Sequence, residues 1–165
     1  MGIRKTGVLH DESQKFPPDG EIIFREWAVN NTVITNVCST RIATRLPRNA
    51  TLPFLVMFRG GGALMNPRSD VHIQSALLPM ECYAGRWGGS GNDKPFADYS
   101  TAMSLANAVI QAAFNYANGY IVTDTTNTRA KIYGFDVVQF PTRIEEIGTG
   151  LGRYSFALAM TYRAV

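Results

Sequence analysis

The chain has little of what catalysis and metal binding use. Its 165 residues include two histidines, His10 and His72, and two cysteines, Cys38 and Cys82. A zinc site takes three or four ligands, and no spacing here offers them. No CxxC occurs, so the cysteines read as two reduced, buried thiols. No run of 18 apolar residues is present, which leaves no candidate membrane span. The opening MGIRKTGVLHDESQKFPPDG lacks the apolar core of a signal peptide. The expectation is a protein made and kept in a cytosol. There, Asn30-Asn31-Thr32 and Asn49-Ala50-Thr51 match the glycosylation pattern without consequence.

Charge runs are missing too. Net charge is +3 and the pI about 9.0, yet no five like charges stand in a row. A dedicated nucleic-acid reader would carry a clustered basic patch. Gly60-Gly61-Gly62 follows a strand-like run but leads into Ala63-Leu64-Met65, not the Lys and Ser or Thr of a phosphate loop. Gly148-Thr149-Gly150-Leu151-Gly152 precedes a strand, so no helix N-terminus would face a phosphate. With no nucleophile elbow and no Cys/His pairing, nothing asks for an enzyme, a cofactor or a metal.

What is present is a core. Hydrophobic residues make up 45% of the chain, enough for one domain. The organising stretch is 41–62, with strand-like runs at Arg41–Leu46 and Pro53–Phe58. Phe54-Leu55-Val56-Met57-Phe58 is apolar throughout, which predicts a central strand covered on both faces. Residues 1–18 have no sustained period and read as a flexible arm before a single domain, 19–165. Asp19 is placed to cap a first helix with Ile23 and Trp27 inward, and Asn30-Asn31 to stop it. A second helical turn follows over Val33–Cys38.

Val71–Ala84 reads as one long strand with a bulge or bend near Leu78-Pro79. The glycine loop 85–95 carries Arg86 and Trp87, either as contact residues or with Trp87 folded back on the core. The main helix spans about 98–117, with Met103, Ala106, Val109, Ile110, Ala113, Phe114 and Ala117 as its apolar face. A hairpin follows, Tyr120–Thr123 with Ala130–Gln139, ended by Pro141-Thr142-Arg143. Glu145 and Glu146 are a solvated acidic loop or partners for a basic patch such as Arg143 or Arg153 of another copy. Tyr154 to Tyr162 alternates as the cleanest strand. The order predicts an α+β fold: two layers, a mostly antiparallel sheet packed by one long and one shorter helix.

Several pieces in sequence order carry a family likeness. Thr40-Arg41-Ile42 leads to Arg45-Leu46-Pro47, and Leu52-Pro53-Phe54-Leu55-Val56 leads to Arg59-Gly60-Gly61-Gly62. Met80-Glu81-Cys82-Tyr83-Ala84 precedes the long helix, and Pro141-Thr142-Arg143 precedes a tyrosine-rich final strand. Over 19–165 this resembles the tail terminator proteins of long-tailed, siphovirus-type bacteriophages. The resemblance implies a virion structural protein of the tail–neck region, assembled in the host cytoplasm. It would form a homohexamer ring that caps the tail tube, joining the major tail tube protein to the head–tail connector. Phage DNA would pass through the lumen without sequence recognition. Exposure logic and the family's motif positions give Arg59, Arg86, Trp87, Arg143, Glu145 and Glu146 as subunit or tube interface candidates. The alternatives are a head-closure or neck connector component, a nucleic-acid-binding module and a small enzyme.

Overall fold

The structure is a computed structural model that describes residues 19–58, 60, 62–64, 73–89, 94–116, 118–123, 129–145 and 148–165. The expected arm at 1–18 lies outside these residues, as do both histidines. The elements run α1 (Gly20–Val29), α2 (Thr32–Cys38), β1 (Ile42–Ala43), β2 (Phe54–Met57), β3 (Gly62–Leu64), β4 (Gln74–Arg86), β5 (Phe96–Ala97), α3 (Tyr99–Tyr116), β6 (Ile121–Thr123), β7 (Arg129–Ile144) and β8 (Gly152–Ala164). The fold is α+β with a mostly antiparallel sheet in the order β1-β2-β4-β8-β7-β6; β3 and β5 also pair with β4. Among the described residues, the one parallel pair is β1 with β2.

Among the described residues, three helices cover one face of this sheet: the long α3, the shorter α1, and α2 where a second helical turn was expected. α1 starts where Asp19 accepts from the Glu21 N–H, a cap whose loss costs about 1 kcal/mol. Its Phe24 and Trp27 meet Phe135 of β7, with ring centroids 5.9 and 5.0 Å away. Each of these buried rings contributes about 1.5–3 kcal/mol by leaving water. α2 is capped by Asn31 and buries Ile34 and Cys38. α3 packs through Ala102, Leu105, Ala106, Val109, Ala112 and Ala113, all buried. Phe114 was expected on that face but is 60% exposed. Small side chains let the helix axis approach the sheet closely, so four alanines with Leu105 and Val109 face inward and the Phe114 ring stays outside. Among the described residues, no helix is long and apolar enough to cross a membrane.

The all-apolar strand β2 is buried at every residue, as its pattern predicts. It is not central, however. It lies second from one edge, and β4 and β8 occupy the middle. Leu55 and Met57 face the main core, while Phe54 and Val56 join a second cluster with Tyr83 and Leu151 on the other side of the sheet. Leu46, Ala50, Leu52 and Trp87 roof that second cluster.

Pro79 produces no bulge against β8: the register from Gln74↔Tyr162 to Ala84↔Gly152 is unbroken. The proline sits where the neighbour on β4's other side changes from β2, which ends at Met57↔Met80, to β3, which begins at Gly62↔Ala76. The Pro79 carbonyl accepts from Phe58 N–H, and its missing N–H points to the same side, into the gap between the two partners. Gly60 crosses that gap so tightly that a Cβ there would lie 1.8 Å from the Leu77 carbonyl oxygen. Pro141 likewise fails to end its strand: β7 continues to Ile144. Only two residues of the run expected at Arg41–Leu46 form a strand.

Candidate assembly surface

β7 is the longest strand, and most of its outer edge is open. β6 covers Arg129–Lys131, and Ile132 exchanges backbone bonds with Gly119 and Tyr120. From Tyr133 to Ile144 the outer edge has no ladder partner among the described residues. Three register shifts against β8 each insert one residue, at Ile132/Gly134, Val137/Gln139 and Gln139/Thr142. Bulges re-aim side chains, and here they turn two apolar residues outward. Val138 is 58% exposed and Phe140 71%.

Arg143 and Glu145 are brought together at the end of this edge. Their ion pair spans 3.3 Å with both side chains half or more exposed, so it contributes about 0–1 kcal/mol. The Arg143 guanidinium stacks 3.7 Å over the Tyr99 ring at the start of α3, and Tyr99 meets Tyr154 edge-on. Arg143 is therefore oriented within its own chain while half of its side chain stays accessible.

Trp87 folds back rather than riding free. Its Nε1 donates to the Ala50 carbonyl at 2.8 Å, and its ring packs on the second cluster. Arg86, beside it, is exposed. Thus Trp87 lies on the helix-free side of the sheet, while Arg143 and Glu145 lie at the same end on the helix side, the side with which Arg86 is in phase through Cys82 and Ala84 of β4. Arg59 and Glu146 lie outside the described residues.

Beneath the second cluster sits a polar network that the sequence reading treated as ordinary strand. Glu81, 8% exposed, is ion-paired with Arg153 across β8 and accepts from the Tyr83 hydroxyl. The two free cysteines are buried, and burial pushes the Cys38 thiol up to about 11 and the Cys82 thiol well above its ordinary value. Both are inert thiols at neutral pH. No group of three or more metal-capable side chains forms among the described residues. An open cavity of about 320 Å³ lies where the α1–α2 junction meets Tyr120, lined by Trp27, Asn30, Asn31, Thr32 and Val33.

The architecture has a solved counterpart. A chain in the virion of a native gene transfer agent (GTA) particle matches with a TM-score of 0.53 at 11% identity. The match covers 88% of this chain and 94% of that one. The two chains share one fold. No family model matches the sequence, and no curated protein does. The exposed apolar edge positions that sequence reasoning missed are Val138 and Phe140. Alternation assigns faces only while the register holds, and three inserted residues reset it along β7.

Proposed function

We propose that this protein is a structural component of a phage-like virion, and within it the subunit of a ring that caps the tail tube. The observation that carries the reading is the β7 edge, an apolar and unpaired strand margin interrupted by bulges and by Pro141. Copies meeting there would bury Val138 and Phe140 against a neighbour. The interruptions would keep the backbone from zipping into a continuous ladder, which is how natural edges avoid open-ended growth. A contact between two different surfaces that closes on itself makes a ring. The order of sequence pieces resembling tail terminators supports this reading, and so does the fold shared with a gene transfer agent virion chain.

The ring would be a homohexamer between the major tail tube protein and the head–tail connector, with DNA crossing its lumen. Arg143 and Glu145 would contribute the polar rim of the subunit contact, and Arg86 a contact with a neighbouring virion protein. A head-closure component at the neck is the second reading, because the virion likeness carries no position within the particle. Native mass measurement of the protein, alone and mixed with tube protein, tests the proposal. A sixfold mass and blunt tube ends are expected. A single-copy mass beside tubes that keep growing would refute it.

A further inference from the structure

We infer that the corner where the start of β7 meets the end of β8 is a docking site for a carboxylate carried on an acidic segment of a different, partner protein. The two ends of β8 are built alike. At one end the Arg153 guanidinium lies 5.6 Å over the Tyr83 ring, and at the other Arg163 lies 5.7 Å over the Tyr133 ring. The first pair is completed inside the chain: Glu81 meets Arg153 Nη2 and accepts from the Tyr83 hydroxyl. The second has a lysine where an acid would serve. Lys131 stands directly opposite Arg163 in the register, with its Nζ 5.6 Å from the centre of the same Tyr133 ring. These side chains lie on the helix-free side, because the alternating Ala130, Ile132 and Tyr162 enter the main core. Arg129, two residues before Lys131 and in phase with it, is exposed beside them.

Among the described residues none of these three cations is ion-paired. Like charges directly opposite on neighbouring strands destabilise a sheet, so Lys131 and Arg163 oppose the fold until an anion joins them. Asp136 is on the same face but stands opposite Ala159, four residues along β8 from Arg163. The other flank of β8 offers no acid here either: β4 begins at Gln74, opposite Tyr162, and Ser75 is opposite Thr161. Of the Arg163 side-chain nitrogens only Nε is enclosed without an acceptor, which leaves the terminal pair to meet a ligand, as Nη2 of Arg153 meets Glu81. An arginine fork matches the two oxygens of a carboxylate. Exposed Ile121, opposite Lys131, and exposed Val165, whose N–H donates to the Arg129 carbonyl, add apolar surface beside the cations. A polypeptide can cover that surface, and a phosphate backbone has nothing to place on it. Tyrosine and arginine are also residue types that protein interfaces favour. The corner lies at the opposite end of β8 from the Arg143 rim, and its chemistry does not depend on the ring.

The test uses the full chain and a fluorescent decaglutamate peptide in anisotropy titrations at low salt, where exposed charges are least screened. The parent is expected to bind the peptide, and R163Q to bind it roughly tenfold more weakly, the size of one charge-assisted bond. Decaglutamine should not bind. R45A/R48A removes two exposed arginines at the other edge of the sheet and should bind like the parent. Lys131→Glu supplies the carboxylate within the chain. K131E should therefore lose the peptide and melt about 2–4 °C above K131Q, a gain that vanishes in the R163Q background. A parent that ignores the peptide, an R163Q that binds like the parent, or a K131E that melts no higher than K131Q would overturn the inference. So would tighter retention of a charge-matched DNA duplex, which would reassign the corner to phosphate, or loss of the multimeric mass in R163Q, which would reassign it to a second copy of this chain. A parent that binds the peptide but stays single-copy beside growing tubes refutes only the cap.

Discussion

Replacing Glu81 with alanine removes a carboxylate that Arg153 and the Tyr83 hydroxyl share. The site is well enclosed, with Glu81 8% exposed and the Arg153 side chain 21%. Removing one member of such a pair strands the other charge, at a cost of about 3–5 kcal/mol for fully buried cases. The residual access of Arg153 puts the expectation at the lower end, about 3 kcal/mol. For a domain of this length that lowers Tm by about 6–12 °C. The double variant E81L/R153M removes both charges and refills the space with apolar atoms, so its cost should fall well below the sum of E81A and R153A. Urea midpoints for the parent, both single variants and the double variant measure this directly. A single-variant loss under about 1 kcal/mol, or a double variant that costs the full sum, would refute the account of the network.

Changing Val138 and Phe140 together to serine should leave Tm nearly unchanged and abolish the multimeric mass; a ring that survives would remove β7 from the contact. Gly60→Ala drives a Cβ into the Leu77 carbonyl and should destabilise by more than Trp87→Phe, which deletes one bond worth about 1 kcal/mol. Both are read by thermal melts. The Asp98 carboxyl is held below its usual range by hydrogen bonds from the Thr101 hydroxyl and N–H. Its stabilisation is therefore present above the unfolded carboxylate value and is lost as pH falls through the folded one, a slope that Asp98→Asn should flatten in acid titrations. Burial pushes Tyr162 up to about 12, so its contribution is present below the unfolded value near 10 and is lost as pH rises beyond it. Tyr162→Phe should remove that alkaline drop.

The first helix and the last strand were legible because local signals and burial agree there. Asp19 caps as its position suggests, and Phe156, Leu158, Met160 and Tyr162 are buried in alternation. β7 was cut short in the reading because Pro141 looked like a terminator. At an open edge a proline costs no ladder bond, and the strand runs on. Phe114 was misassigned because bulk was weighed over fit: α3 meets the sheet through alanines. Trp87 had two readings from sequence, and only the approach of Ala50, 37 residues away, decides between them.

The two apolar clusters lie on opposite faces of one sheet, and they differ greatly in size. The smaller holds its roof with a few side chains, the Trp87–Ala50 bond and the Arg41–Pro53 bond. That roof can lift while the helices stay seated, since local opening follows local contact density. Amide exchange should therefore resolve two breathing units, with the loop before β2 relaxing long before α3 does. A chain built this way can reshape its rim without loosening its spine.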